Sequence, residues 1–150
     1  MKKQTNNRRR QARKFDLIIL KSATNYLIPL LLMFSIFVLM RGHYLSGGGF
    51  VGGLIASIAF VLHSFAHTTK ETLSLFRFSP KTLIPIGLSL SLGSALVPLF
   101  FGKPFMTGVW LPKSIEVIGS VGTALIFDIG VYTVVVGVTL TILFTIKDNV

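Results

Sequence analysis

The sequence predicts an all-α integral membrane protein with four transmembrane helices and both termini on the cytoplasmic side. Of its 150 residues, 51% are hydrophobic and only 13% are charged, and the mean hydropathy is +0.73. A soluble domain of this size is normally less apolar and more charged. Because a bilayer core needs about 20 apolar residues per helix, the chain has room for several spans and little for a separate soluble domain.

The four predicted spans are apolar stretches bounded by charge, glycine or proline, and they cover about residues 22–40, 48–66, 82–101 and 117–146. They are unbroken runs, whereas a membrane barrel needs alternating ten-residue strands that the sequence lacks. The last stretch would measure about 50 Å from Ser114 to Ile146 if wholly helical. Since the hydrocarbon layer is about 30 Å thick, this helix either tilts strongly or breaks near Gly119 and Gly122.

Loop charges predict the orientation. With the N-terminus inside, twelve Lys and Arg residues are cytoplasmic: eight in the basic tail 1–21, three in the 67–81 connection and one in the C-terminal segment 147–150. Three are left on the outer side. This bias follows the positive-inside rule. The tail is too polar to fold by itself; it is expected to be drawn to anionic lipid, and a dedicated docking role stays open.

Composition excludes several classes of function. The chain has no cysteine, which rules out disulfides and thiol chemistry. Its net charge of +10 is concentrated in the tail, without a basic patch beside stacking aromatics, so nucleic acid is not an expected partner. No nucleotide-binding, haem-attachment, hydrolase or zinc-protease motif is found, and neither an enzyme nor a cofactor is predicted. Only five acids are present, too few to couple two ions alone, which indicates a component of a larger assembly.

Glycine clusters mark two of the predicted helices. The second span opens with GGGFVGG, in which Gly48 and Gly52 form one stripe with Ala56, and Gly49 and Gly53 form another with Ser57. Such stripes let a neighbouring helix backbone approach closely. The alternative is a hinge or broken helix start beside an ion path. In the fourth span, a second seam of small residues is formed by Gly130, Thr133 and Gly137.

Asp128 is the principal candidate for chemistry because it lies inside the fourth span. Burying a carboxylate costs about 3 kcal/mol even on lenient insertion scales, so a compensating partner is expected, and Tyr132 lies one helical turn away. Asp128 either makes a structural hydrogen bond or salt bridge, or takes part in ion or proton passage. Glu116 is the second candidate, about 18 Å away along a continuous helix; the alternative is a solvated acid near the outer surface.

Three residues repeat at helical spacing near the inner end of the second span: His63, His67 and Glu71. The first pair could ligate a metal from one helix face, but the first and last residues would lie about 12 Å apart on one helix, too far to share one ion, so a polar stripe is predicted rather than a metal site. His43 lies beside Arg41 in the outer loop. It is either an interface anchor or a proton-handling group.

Two segments, RGHYLSGGGFVGGLIASIAFVLHSFA at 41–66 and GVWLPKSIEVIGSVGTALIFDIGVYTVVVGVTLTIL at 108–143, resemble the B subunit of multisubunit Mrp-type (Mnh-type) Na+/H+ antiporters. The glycine cluster and FDIGVYTVVVG carry most of the likeness. One departure is visible, because Ser46 stands where the family is expected to have proline before the three glycines. Proline would stiffen this turn, so a different loop geometry is expected here.

The resemblance implies a four-helix subunit of an antiporter complex in the bacterial cytoplasmic membrane, exchanging Na+, or in some members another monovalent cation, for H+, with other hydrophobic subunits as partners. Related subunits also occur in membrane-bound hydrogenase complexes. The positions carried over to this chain are the ion-route candidates and the glycine-cluster residues: His43, Glu116, Asp128, Tyr132, Gly47, Gly48, Gly49, Phe50, Gly52 and Gly53.

Three functional hypotheses follow. The preferred one is a non-catalytic antiporter subunit whose second and fourth helices pack through their glycine faces against partner subunits, with Asp128 at or near the cation route. The second is a pure assembly scaffold. The third is a stand-alone permease or channel, which would need to oligomerise because four mostly apolar helices do not enclose a polar path.

Overall fold

A computed structural model gives the architecture of the chain. It describes the backbone of residues 2–42, 47–67, 69–75, 79–115 and 119–148, and within these ranges the side chains of residues 18–42, 47–67, 71–75, 79–110 and 122–147.

The described chain contains four long helices, one short helix and one small hairpin. In order, the elements are α1 (Lys2–Gly42), α2 (Gly48–Ala66), α3 (Thr69–Ser74), α4 (Pro80–Phe100), β1 (Trp110–Ile115), β2 (Gly119–Gly122) and α5 (Thr123–Asp148). The segments long and apolar enough to cross a bilayer are Ile18–Gly42, Gly48–Ala66, Pro80–Phe100 and Thr123–Lys147. The predicted fold class of four transmembrane helices is therefore confirmed.

The structure adds detail next to the first and last spans. The basic tail is helical, because α1 runs without a break from Lys2 to Gly42. In the last apolar stretch, β2 pairs antiparallel with β1, with Ser114 opposite Ser120 and Ile115 opposite Gly119. Strand pairing satisfies the backbone before α5 begins at Thr123. The long stretch is thus broken at Gly119–Gly122, the second of the two predicted alternatives, and does not cross as one helix.

The helices lie in the spatial order α1, α2, α5, α4. Helix α5 packs against α4 on one side and α2 on the other, while α1 packs against α2. The core at the α2–α5 interface consists of four buried residues: Ala56, Val136, Leu140 and Phe144. Many large apolar side chains on the outer faces are exposed, including Met33, Ile58 and Leu92. Lipid can solvate such exposed apolar side chains as well as a protein core would.

Candidate functional site

The candidate site lies where α1, α2 and α5 meet near the start of α2, and the first stripe of glycines joins α2 to α1. A Cβ atom added at Gly48 would collide with the Gly42 Cα atom, and one added at Gly52 would lie 3.0 Å from the Ser35 carbonyl oxygen. At this distance only glycine fits without displacement of the backbone. The Gly48 and Gly52 stripe thus allows α1 and α2 to cross in backbone contact.

The second stripe joins α2 to α5. A Cβ atom added at Gly49 would collide with the Asp128 carbonyl oxygen and lie 2.9 Å from its carbonyl carbon. One added at Gly53 would lie 2.9 Å from the Val135 Cβ atom and 3.0 Å from the Tyr132 carbonyl oxygen. The two glycine stripes of α2 therefore contact two different helices, and the second one presses against the backbone that carries Asp128.

Asp128 is the one acid within the four described spans. It is the sixth residue of α5, about 8 Å along the axis from Thr123, and it is partly buried. Its spacing of four and eight residues from Tyr132 and Val136 places it on the α2-facing stripe of α5. The carboxyl-bearing residue thus sits at a helix crossing rather than on a face that looks only at lipid.

The Tyr132 hydroxyl links all three helices of the site. It lies 2.9 Å from Ser35 Oγ on α1, and Ser35 Oγ donates a hydrogen bond of 2.8 Å to the Gly52 carbonyl oxygen on α2. A serine hydroxyl has a single proton. Because Ser35 uses this proton in its hydrogen bond to the Gly52 carbonyl oxygen, Tyr132 must be the donor in the bond to Ser35. The hydroxyl proton of Tyr132 therefore points to α1. The sequence suggested Tyr132 as a hydrogen-bond partner for Asp128. In the structure, the hydroxyl proton of Tyr132 goes to the buried Ser35 instead.

The opposite face of α5 packs against α4 through a seam of small residues. A Cβ atom at Gly130 would collide with Ser91 Oγ, and one at Gly87 would lie 2.6 Å from the Gly130 carbonyl oxygen. Near the other end, a Cβ atom at Gly137 would lie 3.0 Å from the Pro80 carbonyl oxygen. The Ser91 hydroxyl also donates to the Phe127 carbonyl oxygen at 3.3 Å. Helix α5 is thus fixed on both faces.

These contacts differ from the expectation that the glycine faces pack against partner subunits. Both stripes of α2 and the seam of α5 are occupied by helices of the same chain.

Two members of the predicted packing cluster, Gly47 and Phe50, lie outside these interfaces. Gly47 has a left-handed backbone with φ of 101° at the start of α2, and a Cβ atom there would meet nothing within 4 Å. Phe50 is 52% exposed. Gly47 forms the turn, and Phe50 points outward.

Two ion-route candidates, His43 and Glu116, lie outside the described residues, as does Ser46. The axial separation of about 18 Å between Glu116 and Asp128 assumed one continuous helix. That assumption is wrong, because the residues directly before α5 form strand β2.

The histidine stripe is also rearranged by the end of α2 at Ala66. Helix α3 folds back, so that His63 Nδ1 lies 2.8 Å from Thr72 Oγ1, and His67 Nδ1 lies 3.3 Å from Glu71 Oε2. The two imidazole rings are stacked, with centroids 4.4 Å apart. Among the described residues no group of three or more His, Cys, Asp or Glu side chains is placed to hold a metal ion.

Sequence reasoning missed the polar contacts between helices. Ser35 and Ser64 are isolated serines in apolar runs, and both are buried. Ser64 Oγ accepts a hydrogen bond of 2.8 Å from Lys147 Nζ, which also contacts the Ser64 carbonyl oxygen. A lone serine inside a span, where lipid supplies no hydrogen bond, is the signal that indicates such a contact.

The fold and the site together define a multi-pass membrane protein whose helices are held by glycine contacts around an intramembrane acid. A family model described as a domain related to the MnhB subunit of Na+/H+ antiporter matches residues 19–141. The chain belongs to this family. The resemblance to Mrp-type B subunits drawn from the sequence is therefore confirmed.

Individual relatives agree. A Staphylococcus epidermidis protein assigned as antiporter subunit mnhB2 is 38% identical over 134 residues, which are 88% of this chain and 95% of the relative. The B subunit of the Na(+)/H(+) antiporter of Bacillus subtilis is also 38% identical, over 88% of this chain and 94% of its own. These relatives are transporter subunits rather than enzymes.

Among solved structures, a chain in the Mrp complex from Dietzia sp. DQ12-45-1b superposes with a TM-score of 0.72 and 26% sequence identity. The match covers 85% of this chain and 14% of that chain. This chain thus spans about one seventh of the length of the chain that it matches in the complex.

Proposed function

We propose that this chain is a small membrane subunit of a multisubunit Na+/H+ antiporter in the bacterial cytoplasmic membrane, and that its α2–α5 crossing borders the cation route. It serves as part of a secondary transporter, not as an enzyme. Its partners are other hydrophobic subunits of the complex, and the transported ions are Na+ and H+. Membership of the MnhB-related family and the fold shared with a chain of an Mrp complex support this function.

The observation that carries the proposal is the position of Asp128 against Gly49. An acid in a span is expensive to bury and is normally retained for ion passage or for a polar partner. Here the glycine brings the α2 backbone against the Asp128 backbone, which fixes the start of α5 at the helix crossing. A desolvated carboxylate held in place can bind and release a cation or a proton.

Tyr132 supports this assignment. Since its proton is donated to Ser35, the phenol oxygen keeps its lone pairs for a cation or a water molecule. Tyr132 and Asp128 lie one turn apart on the same stripe of α5. We assign both to the cation route, with the polar Ser35 contact holding the ring. His43 and Glu116 stay candidates for the outer part of that route, on the strength of the family resemblance alone.

The orientation completes the proposal. The basic start of α1 and the basic connection between α2 and α4 lie on the same side of the bilayer. Basic segments are enriched on the cytoplasmic side, which favours both termini in the cytoplasm. The site at the start of α5 then lies nearer the outer surface. The membrane-bound hydrogenase subunit and the pure scaffold are not favoured, because the family and the relatives are antiporter subunits.

Deletion and complementation test the proposal. Cells lacking this chain should lose Na+-dependent antiport in membrane vesicles, and the tagged wild-type chain should restore it while co-purifying with other hydrophobic subunits. Transport by the purified chain alone in liposomes would instead establish a stand-alone permease. A scaffold is indicated if every variant that loses antiport also loses the co-purifying subunits.

A further inference from the structure

The C-terminal end of α2 and the short helix α3 hold a cluster that the proposed function does not involve: His63, His67, Glu71 and Thr72. We propose that His63 and His67 form a two-histidine binding site for a divalent transition metal of the zinc class. The proposal is independent of ion transport. Position 63 lies about 21 Å along α2 from Gly49, so the cluster is at the opposite end of the helix from the Asp128 site.

The spacing of the two histidines is the first argument. His63 lies in the last turn of α2, and His67 is the C-cap residue, whose N–H donates to the His63 carbonyl oxygen at 2.8 Å. Two histidines at this spacing can bind one zinc ion. In the structure the rings of His63 and His67 are stacked face to face, with centroids 4.4 Å apart and planes 12° apart. The two rings are therefore close enough for side-chain rotation to bring one nitrogen of each to a shared ion.

The partners of the Nδ1 atoms are the second argument. Glu71 Oε2 lies 3.3 Å from Nδ1 of His67, and Thr72 Oγ1 lies 2.8 Å from Nδ1 of His63. A metal-bound histidine normally gives its other N–H group to a carboxylate or another oxygen, which fixes the tautomer and raises the basicity of the ligating nitrogen. When each Nδ1–H group donates to its oxygen partner, Nε2 of both rings is left as the ligating atom.

The state of His67 Nε2 is the third argument. This atom is buried and has no hydrogen-bond partner in the described part of the chain. A buried nitrogen without a partner is costly, and a metal ion would satisfy it. Imidazole nitrogen suits zinc, nickel and copper better than sodium or magnesium. The described residues supply no third ligand, so rotation of the rings must open Nε2 of His67 to water, which completes the coordination.

Zinc titration of the full-length chain in lipid nanodiscs, after removal of any histidine tag, tests the site. Calorimetry should show one zinc ion bound to the wild type, and the ion should be lost in His63→Gln and in His67→Gln. Glu71→Gln should weaken binding about ten- to a hundredfold. Because the Glu71 side chain is 60% exposed, this variant should keep its fold, which circular dichroism verifies.

The third histidine of the chain provides the matched control. His43→Gln removes the same side chain from the segment that precedes α2 and should leave zinc binding unchanged. Absence of zinc binding by the wild type, or full binding in both His63→Gln and His67→Gln, would overturn the proposal. Loss of zinc in His43→Gln would equally overturn it, by placing the ion elsewhere. Antiport activity is not needed for any of these readouts, so failure here is distinguishable from failure of the proposed function.

Discussion

The Tyr132 hydroxyl donates a hydrogen bond to Ser35 Oγ, 97 positions earlier in the sequence, and the Ser35 hydroxyl in turn donates a hydrogen bond to the Gly52 carbonyl oxygen. This pair joins the first and last helices directly, with α2 between them. In a membrane, where the hydrophobic effect does not hold helices together, such a contact and the close approach at glycines are the principal stabilising interactions.

A double-mutant cycle on this pair should reveal a direct coupling. Ser35→Ala and Tyr132→Phe each remove one partner, and interhelical hydrogen bonds in membranes contribute about 0.6 kcal/mol on average, up to about 1.7 kcal/mol. We expect a coupling in that range in the free energy of unfolding, measured by denaturation in mixed micelles. The control pair is Ser94→Ala with Tyr132→Phe, because Ser94 donates to the Ser91 carbonyl oxygen of its own helix. Those two effects should add; zero coupling for Ser35 and Tyr132 would contradict the assignment.

Gly49→Ala should destabilise the subunit. The new methyl group would collide with the backbone of Asp128, which cannot rotate away as a side chain would. Overpacking of this kind costs about 1 to 3 kcal/mol, and the melting temperature of the purified subunit should fall. Gly93→Ala in α4 is the control, because a Cβ atom added at Gly93 has no neighbouring atom within 4 Å. That variant should be unchanged or more stable by up to about 1 kcal/mol, and equal losses in the two variants would show that the α2–α5 contact is not tight.

The α4–α5 seam allows a test of backbone contact against side-chain contact. Gly130→Ala should separate the helices, because its Cβ atom meets Ser91 Oγ and lies 2.7 Å from the Ser91 backbone nitrogen. The second-site change Ser91→Gly removes only the hydroxymethyl side chain. Thermal unfolding of the double variant should therefore show partial recovery. Complete recovery would mean that the Ser91 backbone does not limit the approach of α5.

The orientation can be measured because the chain has no cysteine of its own. Single cysteines at Ser79 and at Phe105 would both be exposed and would lie at opposite ends of α4. We expect a membrane-impermeant maleimide to label Phe105→Cys in intact cells and Ser79→Cys only after permeabilisation. The reverse pattern would place both termini outside and would also reverse the position of Asp128 relative to the two membrane surfaces.

The sequence was sufficient for the number and approximate position of the spans, because each is a long apolar run bounded by residues that break helices or carry charge. The boundaries were less predictable. A break near Gly119 and Gly122 was one of the two predicted alternatives, but the pairing of this segment with β1 was not predicted, and neither was the continuation of the first helix through the tail from Lys2 onward. Local patterns do not contain these nonlocal pairings.

The site was predictable in part. Asp128 and the paired glycine stripes were identifiable from residue type and helical spacing, as both are unusual inside an apolar run. Which helix each stripe contacts was not identifiable, and neither was the partner of Tyr132. Those contacts depend on the order of helices in space, and a single sequence with glycines on several helices allows more than one arrangement.

The measurement that most directly tests the central claim is Na+-dependent antiport by the assembled complex carrying Asp128→Asn. This substitution keeps the size of the side chain and removes its charge. Na+-driven proton movement in vesicles should be abolished while the tagged subunit still co-purifies with its partners, and Glu71→Gln, a neutralised acid outside the spans, should retain wild-type antiport. Normal antiport by a correctly assembled Asp128→Asn complex would exclude this carboxylate from the cation route.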